Sequence, residues 1–214
     1  MLHAAALAGQ RGDRVLFEQL HVELAPGTVT WPRGRNGRGK TTLLRLLAGL
    51  ATPLAGEIRV AGALERRSDP ASRRGLLYIG HQNGLKDDLS ASEALAFLMR
   101  LAGSRPAAAE IEGALERLGV HAKRHALVRT LSQGQRRRVA LARLALLLAT
   151  PLWLLDEPFD ALDVDGIATL NELLGEHAER GGATLLTSHQ ALSLAQPVPQ
   201  VLDLDHHASG HGRA

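Results

Sequence analysis

The chain has 214 residues, of which 45% are hydrophobic and 22% charged, a balance typical of a folded globular domain with one main core. The absence of cysteine excludes disulfide bonds, thiolate zinc sites and thiol catalysis. Aromatic residues make up only 3%, which argues against nucleic-acid binding through stacked bases, and the formal charge of +3 selects no partner by itself.

Neither a signal peptide nor a membrane-spanning helix is expected. Residues 1–8 are apolar but lack a basic region before the apolar stretch. The most apolar region, residues 139–155, is interrupted by Arg143 and Pro151. It therefore falls short of the roughly 20 residues that a spanning helix needs.

Strand and helix patterns alternate along the chain. The predicted strands cover residues 14–17, 21–24 and 57–60, which form a small antiparallel element, and residues 28–31, where Pro32 is expected to end the strand. A helix is predicted over 42–49, and further helices over 91–101, over 107–118 and from about residue 132. Short apolar runs at 152–155 and 183–187 predict strands that are buried on both faces.

This order predicts an α/β fold with a mainly parallel sheet in a single domain. Residues 1–89 and 150–205 are expected to form the core, with a helical subdomain inserted over 90–149. The polar residues after Asp205, 206–214, are expected to be a disordered tail.

The strongest motif is G-R-N-G-R-G-K-T at residues 34–41, which fits the phosphate-binding P-loop pattern between a strand and a helix. Backbone N–H groups of such a loop surround nucleotide phosphates, Lys40 is expected to reach the β- and γ-phosphates, and Thr41 to ligate Mg²⁺. Arg35 and Arg38 stand where small residues are usual, and whether they strengthen or crowd the phosphate contact is left open. ATP and Mg²⁺ are the expected ligands, and the predicted loop contacts are Gly34, Arg35, Asn36, Gly37, Arg38, Gly39, Lys40, Thr41 and Thr42.

Two carboxylates follow the apolar run at 152–155. Asp156, at the strand end beside the P-loop, is expected to hold Mg²⁺. Glu157 is expected to act as the general base that polarises the attacking water.

Residues 131–135, L-S-Q-G-Q, resemble the LSGGQ signature of the ABC transporter ATP-binding subunits, with Gln133 in place of the first glycine. Ser132 also has the character of a helix N-cap. The resemblance implies a RecA-like P-loop core and a dimer, in which the signature of one protomer meets the γ-phosphate held by the other. The residues implied for that contact are Ser132, Gly134 and Gln135.

The same resemblance implies roles for three more residues. Gln82 matches the glutamine that contacts Mg²⁺ before the helical block, and His189 matches the switch histidine that contacts the γ-phosphate. Asp163, in the D-loop-like stretch D-A-L-D, is implied to act across the dimer. No aromatic residue stands where the family stacks adenine, and Arg11 is one candidate for that contact.

Three stretches resemble, more narrowly, the bacterial cytochrome c biogenesis ATPases, which are the heme exporter ATP-binding subunits. They are residues 80–86, 136–144 and 181–190. The resemblance implies a peripheral subunit at the cytoplasmic face of the inner membrane, bound to integral membrane permease subunits and acting in heme handling. Heme is not expected to bind this chain directly, because a polar terminus explains His206, His207 and His211 without a ligand.

Three alternatives remain open at this stage. The first is an ATPase subunit of another small exporter, with a drug, lipid or lipoprotein as cargo. A nucleic-acid-directed ABC ATPase is disfavoured, because such proteins carry paired cassettes or coiled-coil insertions, and no nucleic acid is expected as partner. A scaffold that binds nucleotide without turnover is disfavoured by the presence of Lys40, Asp156, Glu157 and His189.

Overall fold

The computed structural model describes residues 1–60, 63–64, 75–189, 192 and 194–207. Its strands are β1 (Leu2–Arg11), β2 (Arg14–Leu24), β3 (Val29–Arg33), β4 (Ala55–Val60), β5 (Ala63–Leu64), β6 (Leu76–Ile79), β7 (Leu152–Leu155), β8 (Ala183–Leu186) and β9 (Gln200–Asp203). Its α-helices are α1 (Lys40–Leu47), α2 (Ala91–Leu101), α3 (Ala108–Arg117), α4 (Gln133–Leu146) and α5 (Val164–Glu179). Short 3-10 helices cover His121–Lys123 and Val128–Thr130.

The strands form two sheets, as the predicted fold class requires. The parallel sheet has the order β6-β7-β8-β3-β9, and the antiparallel sheet has the order β2-β1-β4-β5. All four residues of β7 and of β8 are buried, because these strands lie inside the sheet with packed layers on both faces. The α/β fold with a parallel sheet and a small antiparallel sheet is therefore confirmed.

The antiparallel sheet differs in detail from the predicted one. The two short strands predicted within residues 14–24 are one strand, β2, which pairs along its length with the unpredicted strand β1. Pro32 does not end β3, which continues to Arg33. Pairing with β8 stops at Thr30 and only β9 lies beside Pro32, so the missing proline N–H interrupts no ladder on the β8 side.

The helical block begins at a well-formed cap. Ser90 caps α2 through a capping box with Glu93, whose carboxylate accepts the Ser90 N–H at 2.8 Å. Helix α2 has the predicted bounds, and α3 and α4 start one residue after the predicted positions. The division into a core and a subdomain stays a prediction.

Strand β7 separates two hydrophobic clusters. Its side chains alternate, so that Trp153 and Leu155 pack in the cluster with α2, α3 and α4, and Leu152 and Leu154 pack in the cluster with α1 and the antiparallel sheet. The carboxylates that follow β7 consequently sit between the two halves of the molecule. Over the described residues, none of the helices combines the length and hydrophobicity needed to cross a bilayer.

Candidate active site

The loop between β3 and α1 has the shape of a phosphate cradle. Gly39 precedes α1 with φ of 96°, a left-handed conformation that favours glycine. Helix α1 starts at Lys40, two residues before the predicted start, so its free N–H groups face the loop. The Lys40 ammonium donates a hydrogen bond to the Gly34 carbonyl at 2.8 Å, which folds the side chain back over the loop.

A cavity of about 330 Å³ opens beside this loop and collects much of the predicted site. The predicted residues that line it are Asn36, Gly37, Gly39, Lys40, Thr41, Thr42, Asp156, Glu157 and His189. Arg11, Leu16 and His81 line it as well, so the arginine considered for adenine does lie at this cavity. Gly34 and Arg35 line a neighbouring cavity, and Arg38 lines neither.

Hydroxyl and carboxylate oxygens converge where Mg²⁺ is expected. Oδ1 of Asp156 accepts hydrogen bonds from Thr41 Oγ1 at 3.2 Å and from Thr187 Oγ1 at 2.8 Å. Oxygen donors of this kind match the preference of Mg²⁺, which takes few protein ligands and keeps several waters. Thr41 and Asp156 therefore fit the ion, with Thr187 as an unpredicted partner of the carboxylate.

Gln82 stands apart from this group. It follows β6 and is exposed, whereas its neighbour His81 lines the cavity. Nδ1 of His81 lies 3.7 Å from Oδ2 of Asp160. The role of Gln82 at the metal stays a prediction.

Glu157 is held tightly at the end of β7. Its φ is 49°, an uncommon value for a residue other than glycine, and its N–H donates to Thr187 Oγ1 at 2.8 Å. Its carboxylate accepts the His189 N–H at 2.9 Å and lies 3.6 Å from His189 Nε2. Burial raises the pKa of this carboxyl and Asp160 adds to the shift, while His189 acts against it. A carboxylate with a raised pKa is the stronger proton acceptor that a general base requires.

A buried arginine on α4 supports both carboxylates. Arg137 is 2% exposed, and its guanidinium donates to the carbonyls of Asp156 at 3.0 Å and Glu157 at 2.7 Å. It also donates at 3.1 Å to the Gly80 carbonyl and to Asn83 Oδ1, in the loop after β6. The motifs did not reveal this residue, because the contacts join segments that are 19 to 57 residues apart in sequence.

The signature residues lie outside the cavity formed by their own chain. Ser132 caps α4 as predicted: its Oγ accepts the Gln135 N–H at 3.2 Å, and Gln135 Oε1 accepts the Ser132 N–H at 3.0 Å. A Cβ on Gly134 would lie 2.7 Å from the Ala161 carbonyl oxygen, so this position requires glycine. Asp163 caps α5 by accepting the Gly166 N–H at 2.9 Å. Thus one chain does not bring the signature to the P-loop.

Comparison with protein families decides the classification. The family model described as ABC transporter matches residues 17–160. The chain belongs to the ABC transporter family. It is 47% identical over 194 residues to the cytochrome c biogenesis ATP-binding export protein CcmA of Pseudomonas aeruginosa, an alignment that covers 91% of this chain and 95% of that protein. It is 49% identical over 192 residues to the protein of the same name from Pseudomonas putida strain KT2440, covering 89% and 90%.

Solved structures show the same fold. An ABC transporter ATP-binding protein from Pyrococcus furiosus superposes with a TM-score of 0.80 at 25% identity, over 97% of this chain and 99% of that one. A dimeric ATP-binding cassette bound to ADP and Pi shares the fold with a TM-score of 0.74 at 23% identity, over 89% and 88% of the chains. This chain is an ABC-type ATPase.

Proposed function

We propose that this ABC ATPase drives a heme-handling step in the assembly of c-type cytochromes, as a subunit bound to integral membrane permease subunits. The observation that carries the proposal is 47% identity to a cytochrome c biogenesis ATP-binding export protein over nearly the full length of both chains. We place the subunit peripherally, at the cytoplasmic face of the bacterial inner membrane. Heme is handled by the partners and not by this chain.

The cavity supports a division of labour among its residues. Lys40 and the N-terminus of α1 bind the phosphates. Thr41 and Asp156 would hold Mg²⁺, which would neutralise phosphate charge. Glu157 accepts the proton of the attacking water, since its raised pKa favours the protonated product. His189 contacts the γ-phosphate and orients the Glu157 carboxylate through the 2.9 Å hydrogen bond from its N–H.

The exposed signature supports action as a dimer. Ser132 and Gln135 are at the N-terminal end of α4, outside the cavity of their own chain. In a dimer, these residues of one copy therefore contact the γ-phosphate that the other copy holds. Glu157→Gln is therefore expected to bind ATP without hydrolysing it and to accumulate as a dimer, measured by light scattering with ATP and Mg²⁺. A Glu157→Gln variant that hydrolyses ATP normally and stays monomeric would contradict both roles.

The partners are tested by purification from membranes. The chain, tagged and expressed at native level, is isolated with its complex, and the copurifying proteins are identified by mass spectrometry while heme is measured by absorbance. Recovery of cytochrome c biogenesis membrane subunits supports the proposal. Recovery of an unrelated permease would overturn the heme assignment, and the ABC ATPase would then serve another cargo.

A further inference from the structure

The two unusual P-loop arginines both contact the segment that follows β9, Arg38 through its side chain and Arg35 through its backbone N–H. Arg38 Nε donates to Asp205 Oδ1 at 2.8 Å, and the Arg35 N–H donates to Asp205 Oδ2 at 3.3 Å. One carboxylate thus contacts the loop at two points, through a side chain and through the backbone. Arg38 lines neither cavity of the loop, and Arg35 lines the neighbouring one.

The segment that carries Asp205 is itself anchored. Leu204 is fully buried and donates its N–H to the Arg33 carbonyl at 2.9 Å, which continues the pairing of β9 with β3. The Asp205 N–H donates to Asp203 Oδ1 at 2.8 Å, and the His207 carbonyl accepts the Glu18 N–H at 3.0 Å.

The described structure extends two residues into the stretch predicted to be a disordered tail. His206 and His207 follow Asp205 in the same turn, and the disorder of the tail stays a prediction. His206 pairs with Asp203 at 3.0 Å, and His211 lies outside the described residues.

We propose that Asp205 is a positioning residue for the P-loop: it holds Arg38 and the Arg35 N–H on the outer side of the loop, so that neither is a phosphate ligand. Asp205 then attaches the loop to the end of β9, in addition to the chain connections of the loop to β3 and α1. The remaining N–H groups of the loop stay directed into the cavity. The inference rests on the P-loop being the ATP site of this chain.

Charge explains why an acid is needed there. The guanidinium of Arg38 requires an anionic partner, and Asp205 supplies one outside the cavity, where the contact also attaches the loop to the segment after β9. Pairing with Asp205 satisfies Arg38 before ATP arrives. The pair is partly exposed, with 30% of the Arg38 and 38% of the Asp205 side chain accessible, so it contributes little to the stability of the fold. Its effect is on ATP affinity.

The test compares Asp205→Ala, Arg38→Ala and the double variant, each as the full chain with Mg²⁺. We expect each single change to raise the Kd for a fluorescent ATP analogue and the KM for ATP about fivefold, which is the upper range for such a pair. The double variant is expected to show no further loss, and kcat at saturating ATP is expected to stay within about twofold, since only ground-state binding is affected.

Two controls separate this result from other causes. Glu57→Ala removes a comparably exposed pair with Arg59, at 2.9 Å on β4, and is expected to leave the Kd unchanged. Lys40→Ala is expected to abolish ATP binding, and normal binding by that variant would refute the P-loop assignment rather than the role of Asp205.

Three outcomes would overturn the proposal. Tighter ATP binding by Asp205→Ala would mean that Arg38, once released, is a phosphate ligand. Unchanged binding by Asp205→Ala would mean that the pair does not position the loop. Additive losses in the double variant would mean that the two residues act separately.

Discussion

Replacing Arg137 by methionine tests whether one buried guanidinium supports the two carboxylates to which we assign roles in ATP hydrolysis. Methionine retains the length of the aliphatic stem but donates no hydrogen bond, so the variant deprives Asn83 Oδ1 and four carbonyls of a donor. The carbonyls are those of Gly80, Asp156, Glu157 and Pro158. The Glu157 carbonyl still accepts the Asp160 N–H at 3.2 Å, so three carbonyls lose their donor. A buried acceptor left without a partner costs about 1 kcal/mol or more, so these three amount to about 3 kcal/mol.

Part of this cost is offset. Burial lowers the pKa of the Arg137 guanidinium, because desolvation disfavours its charged form. Methionine carries no charge, so the variant avoids this desolvation cost. We expect a net loss of about 2 kcal/mol, which for a chain of this size lowers Tm by about 6 °C. We also expect kcat to fall more than tenfold, because the backbone that carries Asp156 and Glu157 loses its support.

The matched control lies on the same helix. Arg143 is half-buried, and desolvation lowers its pKa to about 10. In the described part of the structure it donates one hydrogen bond, to the Ala140 carbonyl at 3.0 Å. Arg143→Met is expected to be neutral or stabilising. Tm is measured by differential scanning calorimetry and kcat by phosphate release. Equal Tm values for the two variants, or normal kcat in Arg137→Met, would refute the reasoning.

Three further changes follow from individual contacts. Glu157→Gln is expected to raise Tm at pH 7, because the raised pKa of Glu157 means that the folded state disfavours the charged carboxylate. The wild-type protein therefore loses stability as the pH rises from the ordinary carboxyl pKa of about 4.3 through the raised pKa. A Tm difference between variant and wild type that persists at lower pH would contradict this. Gly134→Ala is expected to lower ATPase activity at least tenfold, because the added Cβ would clash with the Ala161 carbonyl oxygen. Normal turnover would show that the D-loop, residues 160–163, moves to accommodate the methyl group. Gly182→Ala is expected to cost about 2 kcal/mol, measured by urea unfolding, because its Cβ would overlap the fully buried His177, and an unchanged midpoint would contradict this.

The elements with strong local signals were predicted well from sequence. The apolar run at 152–155 became β7, and the helix at 91–101 has the predicted bounds, since a serine cap and helical periodicity act over a few residues. The P-loop and the acids that follow β7 were also found, and the structure brings Lys40, Thr41, Asp156 and Glu157 to one cavity.

Strand β1 was missed because its side chains do not alternate cleanly. Ala4, Leu7 and Ala8 are buried, and the register against β2 shifts between Ala4 and Leu7 and again before Gly9. Such irregularities disturb the period of two on which strand prediction depends.

What the sequence by itself determined is the chemistry to expect: a motif of eight residues and a pair of carboxylates predict a phosphate site and a proton acceptor, because each lies within a few consecutive residues. Only the tertiary structure decided which residues, distant in sequence, hold the P-loop and the two carboxylates in place. Arg137 meets the carbonyls of Asp156 and Glu157, Thr187 meets Asp156, and Asp205 meets Arg38 across 167 residues. Contacts over such separations exist only once the strands of the parallel sheet are placed side by side, and sequence spacing carries no trace of them.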